Sequence, residues 1–330
     1  MSKADKVISD LYTKIMEQGV KRDSTRMFWK DGTPAYYYSV FGGELVFEPS
    51  DGLPLLTKKF VPIKSLTQEI MWIWQKMSNE VAVASEMGTK VWNDWALEDG
   101  TIGKAYGYQL RNNYYSVPFF SISDKAWKIL DFDKVMLRHT QMFGDVSYND
   151  RKDLKVSLNQ VEYVIQQLID NPFNRQIITT LWKISDLDEM SLQPCVYETH
   201  WIEVDGKIDL IVRTRSSDSF LGLPYNIAQY SILHRLISSL VGKPFGTIRF
   251  QLGDVHLYDR HFEKAEEFIG NKEYSAPKLV IEQENVHKFE DYNYGDNFYV
   301  ENYSKNIGNS GTILSEVCLH AQALEAYRKQ

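Results

Sequence analysis

The run Ser191-Leu-Gln-Pro-Cys195-Val-Tyr-Glu sets a lone thiol directly after a proline, and Arg215-Ser-Ser-Asp218-Ser-Phe-Leu-Gly222-Leu-Pro-Tyr-Asn226 follows twenty residues later. A thiol can add to an electrophilic carbon, arginine with hydroxyls suits a phosphate, and an amide beside a carboxylate suits a hydrogen-bonding ring. Together they form the pattern of a thiolate enzyme acting on a nucleotide. The thiolate form is the nucleophile, and Arg215 and Arg175 are the cations expected to lower the pKa of Cys195. A cysteine on its own is more often a buried core residue, so these neighbours carry the reading. Cys318 lies with Ile313, Val317 and Leu319 in an amphipathic stretch and reads as packing.

Such side chains need a scaffold. With 330 residues, 43% of them apolar, the chain has material for one large mixed α+β domain with a substantial sheet. Val7, Leu11 and Ile15 predict an amphipathic opening helix stopped at Gly19. Strands are expected over 36–47, 176–182 and 197–215, with Asp205-Gly206 as a hairpin turn. A helix over 62–76 carries Glu69 beside its apolar face, and a long one over 224–241 has Pro224 in its first turn and a stripe of Ile227, Tyr230, Leu233, Ile237 and Leu240. Residues 247–252 read as a strand and a helix is expected to begin near His256, whereas the aromatic stretch 105–160 gives no clear pattern.

No apolar run approaches the roughly 20 residues of a membrane span, and the polar start lacks a secretory layout, so a cytoplasmic protein is expected. Two cysteines make no disulfide framework, and no Cys/His spacing implies a metal. The net charge of -7 argues against a nucleic-acid partner.

The chain resembles the thymidylate synthase family over most of its length. The matching pieces, in family order, are Asp51-Gly-Leu-Pro-Leu-Leu-Thr-Lys-Lys59, the Glu69 helix, Val91-Trp92-Asn-Asp-Trp95, Ala105-Tyr106-Gly107, Asn171-Pro-Phe-Asn-Arg175, Gln193-Pro-Cys195, the Arg215 to Asn226 motif, and Gly253-Asp-Val-His256-Leu-Tyr258. The resemblance implies one catalytic domain across 1–330, with an insertion at about 108–165 and a C-terminal extension at about 304–330. It also implies a large mixed sheet packed with helices and a homodimer joined sheet to sheet. By resemblance, Cys195 adds to C6 of a pyrimidine deoxynucleoside monophosphate, and C5 then takes the one-carbon unit of 5,10-methylenetetrahydrofolate. Asn226 matches the reader of O4 and N3 of uracil. Glu69 and Tyr106 match the polar network that moves protons and water. Arg215, Ser216 and, from the other subunit, Arg175 match phosphate contacts, and His256 and Tyr258 match the pair on the sugar 3′-hydroxyl. Asp218, Leu221, Gly222, Trp92, Trp95 and Lys59 match the folate site.

Departures from the family pattern bear on the product. Arg22-Asp-Ser-Thr-Arg26-Met-Phe stands where a glycine-rich loop is usual, Gln176 follows Arg175 in place of a second arginine, Phe60 replaces an arginine, and Val196 replaces the histidine after the nucleophile. The usual tail is also altered after Glu301-Asn-Tyr303. A wetter site lets water, rather than hydride, end the reaction, so the sequence leans towards a deoxyuridylate hydroxymethylase making 5-hydroxymethyl-dUMP, of a virus-encoded kind working in a host cytoplasm. The alternatives are a divergent thymidylate synthase making dTMP, a dCMP or CMP hydroxymethylase, against which Asn226 speaks, and a silent nucleotide-binding relative. Retention of Cys195, Glu69, Tyr106 and Asn226 speaks against the last.

Overall fold

The computed structural model describes residues 2–22, 27–136, 155–303 and the strand pair 319–320. Arg26, Cys318, the middle of the insertion and nearly all of the C-terminal extension lie outside the described residues.

Helix α1 (Lys3–Gln18) buries Ala4, Asp5, Ile8, Tyr12 and Ile15. The stripe is therefore rotated from the expected one, and Val7 and Leu11 flank it half-buried. Gly19 ends the helix in an extended conformation (φ -66°, ψ 136°), not a left-handed one, and donates to the Ile15 carbonyl at 2.8 Å. A Cβ there would lie 2.3 Å from that oxygen, so close backbone approach is what selects glycine.

The strands in chain order are β1 (Val20–Arg22), β2 (Met27–Phe28), β3 (Tyr37–Phe47), β4 (Tyr114–Pro118), β5 (Lys155–Asn159), β6 (Ile178–Thr180), β7 (Val196–Val204), β8 (Lys207–Asp218), β9 (Phe245–Tyr258), β10 (Lys278–Ile281), β11 (Phe298–Glu301) and β12 (Leu319–His320). The main sheet has six of them in the order β1-β3-β9-β8-β7-β6. Only β8 and β9 run parallel within it. The β7–β8 hairpin turns at Asp205 (φ 49°) and Gly206 (φ 75°), the paired positive dihedrals that a two-residue turn of right-handed twist requires. Two short pairs, β4–β5 and β10–β11, pack at the sides, and β12 pairs antiparallel with β2.

The helix expected to begin near His256 begins later, at Phe262. Strand β9 continues to Tyr258 because His256 is paired on both sides, with Ser39 of β3 and with Asp218 of β8. The remaining helices are α2 (Ile63–Trp74), α3 (Val81–Met87), α4 (Gly107–Asn112), α5 (Asp124–Leu130), α6 (Gln160–Asp170), α7 (Gly222–Val241) and α8 (Phe262–Gly270). Thus α4, β4, α5 and β5 give form to the stretch in which the sequence showed no pattern. Asn159 caps α6 through the Glu162 N–H, and Glu162 returns a bond to the Asn159 N–H, which fixes where that helix starts.

Helix α7 begins two residues before the expected 224 and keeps Pro224 in its first turn. It is buried almost all round, its polar Gln229, Ser231, His234 and Arg235 included, and lies behind β8 and β9. The inner sheet face and α7 thus form one core with Trp74, Trp201 and Phe250. The outer face is less covered: Ile202 and Ile211 are half-buried and Val204 is 49% exposed.

Candidate active site

The carboxyl ends of parallel β8 and β9, the start of α7 and the entry to β7 converge. Cys195 stands immediately before β7, half-buried. Arg215 on β8 holds its loop from both backbone and side chain. Its N–H donates to the Cys195 carbonyl at 3.0 Å, its Nε to the Pro194 carbonyl at 3.0 Å and its Nη2 to the Gln193 carbonyl at 2.8 Å. The guanidinium lies over Trp182, 5.6 Å from the ring centre. Gly253 of β9 allows this close fit, since a Cβ there would stand 2.6 Å from the Arg215 carbonyl oxygen.

Tyr106 closes the other side of the thiol. The Cys195 N–H donates to its hydroxyl oxygen at 3.3 Å. Its backbone sits at φ 47°, ψ -108°, a conformation costing a tyrosine of the order of 1–3 kcal/mol that tertiary contacts must hold. Trp92 supplies one, edge-on at 5.0 Å. The expected lowering of the Cys195 pKa is overturned: burial pushes the thiol above its ordinary value, against the pull of Arg215 and of the Tyr106 hydroxyl, while Asp218 adds to the rise. Arg175 is the proposed residue that the chain leaves apart from this cluster, exposed in the turn ahead of edge strand β6.

Glu69 on α2 faces the same space. Trp92 Nε1 donates to its Oε1 at 2.9 Å and Gln229 Nε2 to its Oε2 at 2.8 Å. Burial nevertheless raises its pKa to about 7, the range of a group that gives and takes protons at neutral pH. Gln229 also donates to the Leu66 carbonyl at 3.2 Å and accepts from Asn226 Nδ2 at 3.3 Å, so Trp92, Glu69, Gln229 and Asn226 form one chain of hydrogen bonds. The sequence reading missed Gln229. The available signal was its place three residues after Asn226, on the same helix face.

At the start of α7, Asp218 Oδ1 accepts from the Phe220 N–H at 2.9 Å and the Leu221 N–H at 3.1 Å. Lys59 donates to the Phe220 carbonyl at 2.9 Å and lies 3.7 Å from the centre of that ring. Burial lowers its pKa to about 8, opposed by Asp218. Leu221 and Gly222 are half-buried beside it, Trp95 packs half-buried on the core, and Trp92 is spent on Glu69 and Tyr106. Phe60 stacks on Tyr303 at 5.6 Å, and the Tyr303 hydroxyl accepts from the Val61 N–H at 2.8 Å and donates to the Leu56 carbonyl at 3.0 Å.

On β9, His256 Nδ1 pairs with Asp254 Oδ1 at 2.9 Å. Burial would raise Asp254, yet His256, Ser39 and Arg22 together hold it below the usual range. Tyr37 lies 5.1 Å and Tyr258 5.2 Å from the histidine ring. Ser216 stands opposite Asp254 in the β8–β9 register. Among the described residues no cluster of three or more His, Cys, Asp or Glu is arranged to hold a metal ion, and no helix is long and apolar enough to cross a membrane.

The chain is similar to known proteins in sequence and in fold. A family model described as thymidylate synthase covers residues 6–312. A thymidylate synthase of Bacillus licheniformis is 37% identical over 299 residues, spanning 90% of this chain and 94% of the relative. One from Bacillus phage phi3T is 36% identical over 307 residues, spanning 92% and 96%. The solved structure of a thermostable thymidylate synthase A from Bacillus subtilis aligns with a TM-score of 0.77 at 34% identity, covering 96% of this chain and 99% of that one.

Proposed function

Because this chain belongs to the thymidylate synthase family, we propose that it transfers a one-carbon unit to C5 of dUMP and yields dTMP. The observation that carries the reading is the thiol of Cys195 held between Arg215 and Tyr106, across from a carboxyl whose pKa is about 7. Cys195 adds to C6 of the pyrimidine, and the charge that develops towards O4 is met by the Asn226 N–H. Glu69, fixed by Trp92 and Gln229, carries protons to and from the ring and its waters. Arg215 and Ser216 receive the phosphate, and His256 and Tyr258 the sugar. 5,10-Methylenetetrahydrofolate, when bound, supplies the carbon and the hydride. The residues suit it: a carboxylate whose Oδ1 serves its own loop can offer Oδ2 to pterin N–H groups, beside Leu221, Gly222 and Lys59.

The methyl product replaces the hydroxymethyl product to which the sequence leaned, because the relatives, one of them from a phage, bear the name thymidylate synthase at 36–37% identity over nearly their whole length. A homodimer built on the outer sheet face belongs to the same proposal. It would cover Ile202, Val204 and Ile211 and bring the exposed Arg175 to a neighbouring site. The proposal also keeps the chain as one catalytic domain in which 108–165 is an insertion and 304–330 an extension.

The test is product analysis. The chain is supplied with dUMP labelled with tritium at C5 and with methylenetetrahydrofolate. Tritium release, dihydrofolate formed in step and a product with the mass of dTMP are expected. A product heavier by one oxygen, without dihydrofolate, would restore the hydroxymethylase reading, and no release at all would leave a silent binder.

A further inference from the structure

We infer that Gln229 is a positioning residue that sets which way round the Asn226 amide faces the base, and thereby the preference for uracil over cytosine; the inference rests on the functional reading above. Gln229 is 3% exposed and held from three directions. Its Nε2 lies 3.2 Å from the Leu66 carbonyl and 2.8 Å from Glu69 Oε2. A backbone carbonyl can only accept, so that end of the amide must be the nitrogen. Oε1 then faces Asn226 and accepts from its Nδ2 at 3.3 Å. Turning the Asn226 amide over would set two oxygens against each other.

Held this way, Asn226 keeps Oδ1 as an acceptor and its second N–H as a donor for the base. Uracil presents the matching pair, a donor at N3 and an acceptor at O4. Cytosine presents an acceptor at N3 and a donor at its amino group, the inverse at both positions. An asparagine free to rotate serves either base, so the Leu66 carbonyl, acting through Gln229, fixes the choice. The same amide steadies Glu69, whose other neighbours, Tyr106, Tyr225 and Tyr230, are phenols held by burial above their ordinary values and so stay neutral through the working pH range.

The experiment measures dissociation constants of dUMP and dCMP, and the pH profile of tritium release, for the unmutated chain, Gln229→Leu and Gln229→Glu. Gln229→Leu is expected to reduce the preference for dUMP by about five- to tenfold, the worth of one such hydrogen bond. Gln229→Glu keeps an acceptor towards Asn226 and is expected to hold the preference within about twofold, while a second carboxyl beside Glu69 moves the acid limb of the profile to higher pH. Equal weakening of both nucleotides by Gln229→Leu, or loss of preference in Gln229→Glu, overturns the inference. If the leucine variant does not fold, the glutamate variant decides alone. Absence of tritium release from the unmutated chain fails the functional reading instead, whereas release with an unchanged preference in Gln229→Leu fails this one only.

Discussion

The two ends of α7 carry buried polar side chains to different effect. At its start, Asn226 and Gln229 bond side chain to side chain and end on Glu69, a carboxyl brought to about 7. Farther along, His234 bonds the Ile208 carbonyl and Arg235 the Gly52 carbonyl, with the guanidinium over Phe245 at 4.4 Å. Burial takes His234 down to about 4 and Arg235 down to about 10, so neither changes charge near neutral pH. Burial acts at both ends. The polar chain at the start ends on a carboxyl that titrates near neutral pH, whereas His234 and Arg235 end on backbone carbonyls alone and lock the fold.

That contrast can be broken at several points. Cys195→Ser should lower tritium release by roughly 10⁴-fold or more, as loss of a covalent nucleophile does, with the chain still folded. Glu69→Gln is expected to cost about 10²–10⁴-fold in turnover and to abolish the acid limb of the pH profile. Arg215→Lys keeps the charge but loses the two-carbonyl clamp on Gln193 and Pro194, and kcat/KM should fall by roughly 10²-fold through misplacement of the thiol. His234→Leu, at the other end, should leave kcat and its pH profile unchanged while denaturant titration shows a loss of about 1–3 kcal/mol. A shifted pH profile in that variant would dissolve the distinction between the two ends.

Glu69 also ties this end of the helix to stability. Its folded pKa is raised, so between the unfolded value of 4.5 and about 7 the folded state holds a proton that the unfolded chain has released. Its contribution is full below that window and is lost as pH rises through it, by about 3 kcal/mol. Urea titrations of the unmutated chain should show this decline, and Glu69→Gln should flatten it.

How much of this was legible depended on whether the deciding contact was local. Cys195, Arg215 and Asn226 declared themselves by type and spacing, and the Asp205-Gly206 turn by its residues. The direction of the Cys195 pKa was misread because counting nearby arginines leaves out burial, which only the folded chain determines. His256 was misplaced because its neighbours in sequence resemble a helix start, while its partners Ser39 and Asp218 are remote in sequence. The bond from Trp92 to Glu69 joins α2 to the turn after α3, and no periodicity announces it.

Tyr303 acts as a peg. Its ring lies flat on Phe60 and its hydroxyl joins the backbone at Leu56 and Val61, next to the lysine that grips Phe220. Everything downstream of the peg sets out from beside Lys59 and Phe220, whatever course it takes. A chain cut just after Tyr303 would retain the anchorage, and one cut just before it would let slip the segment carrying Lys59.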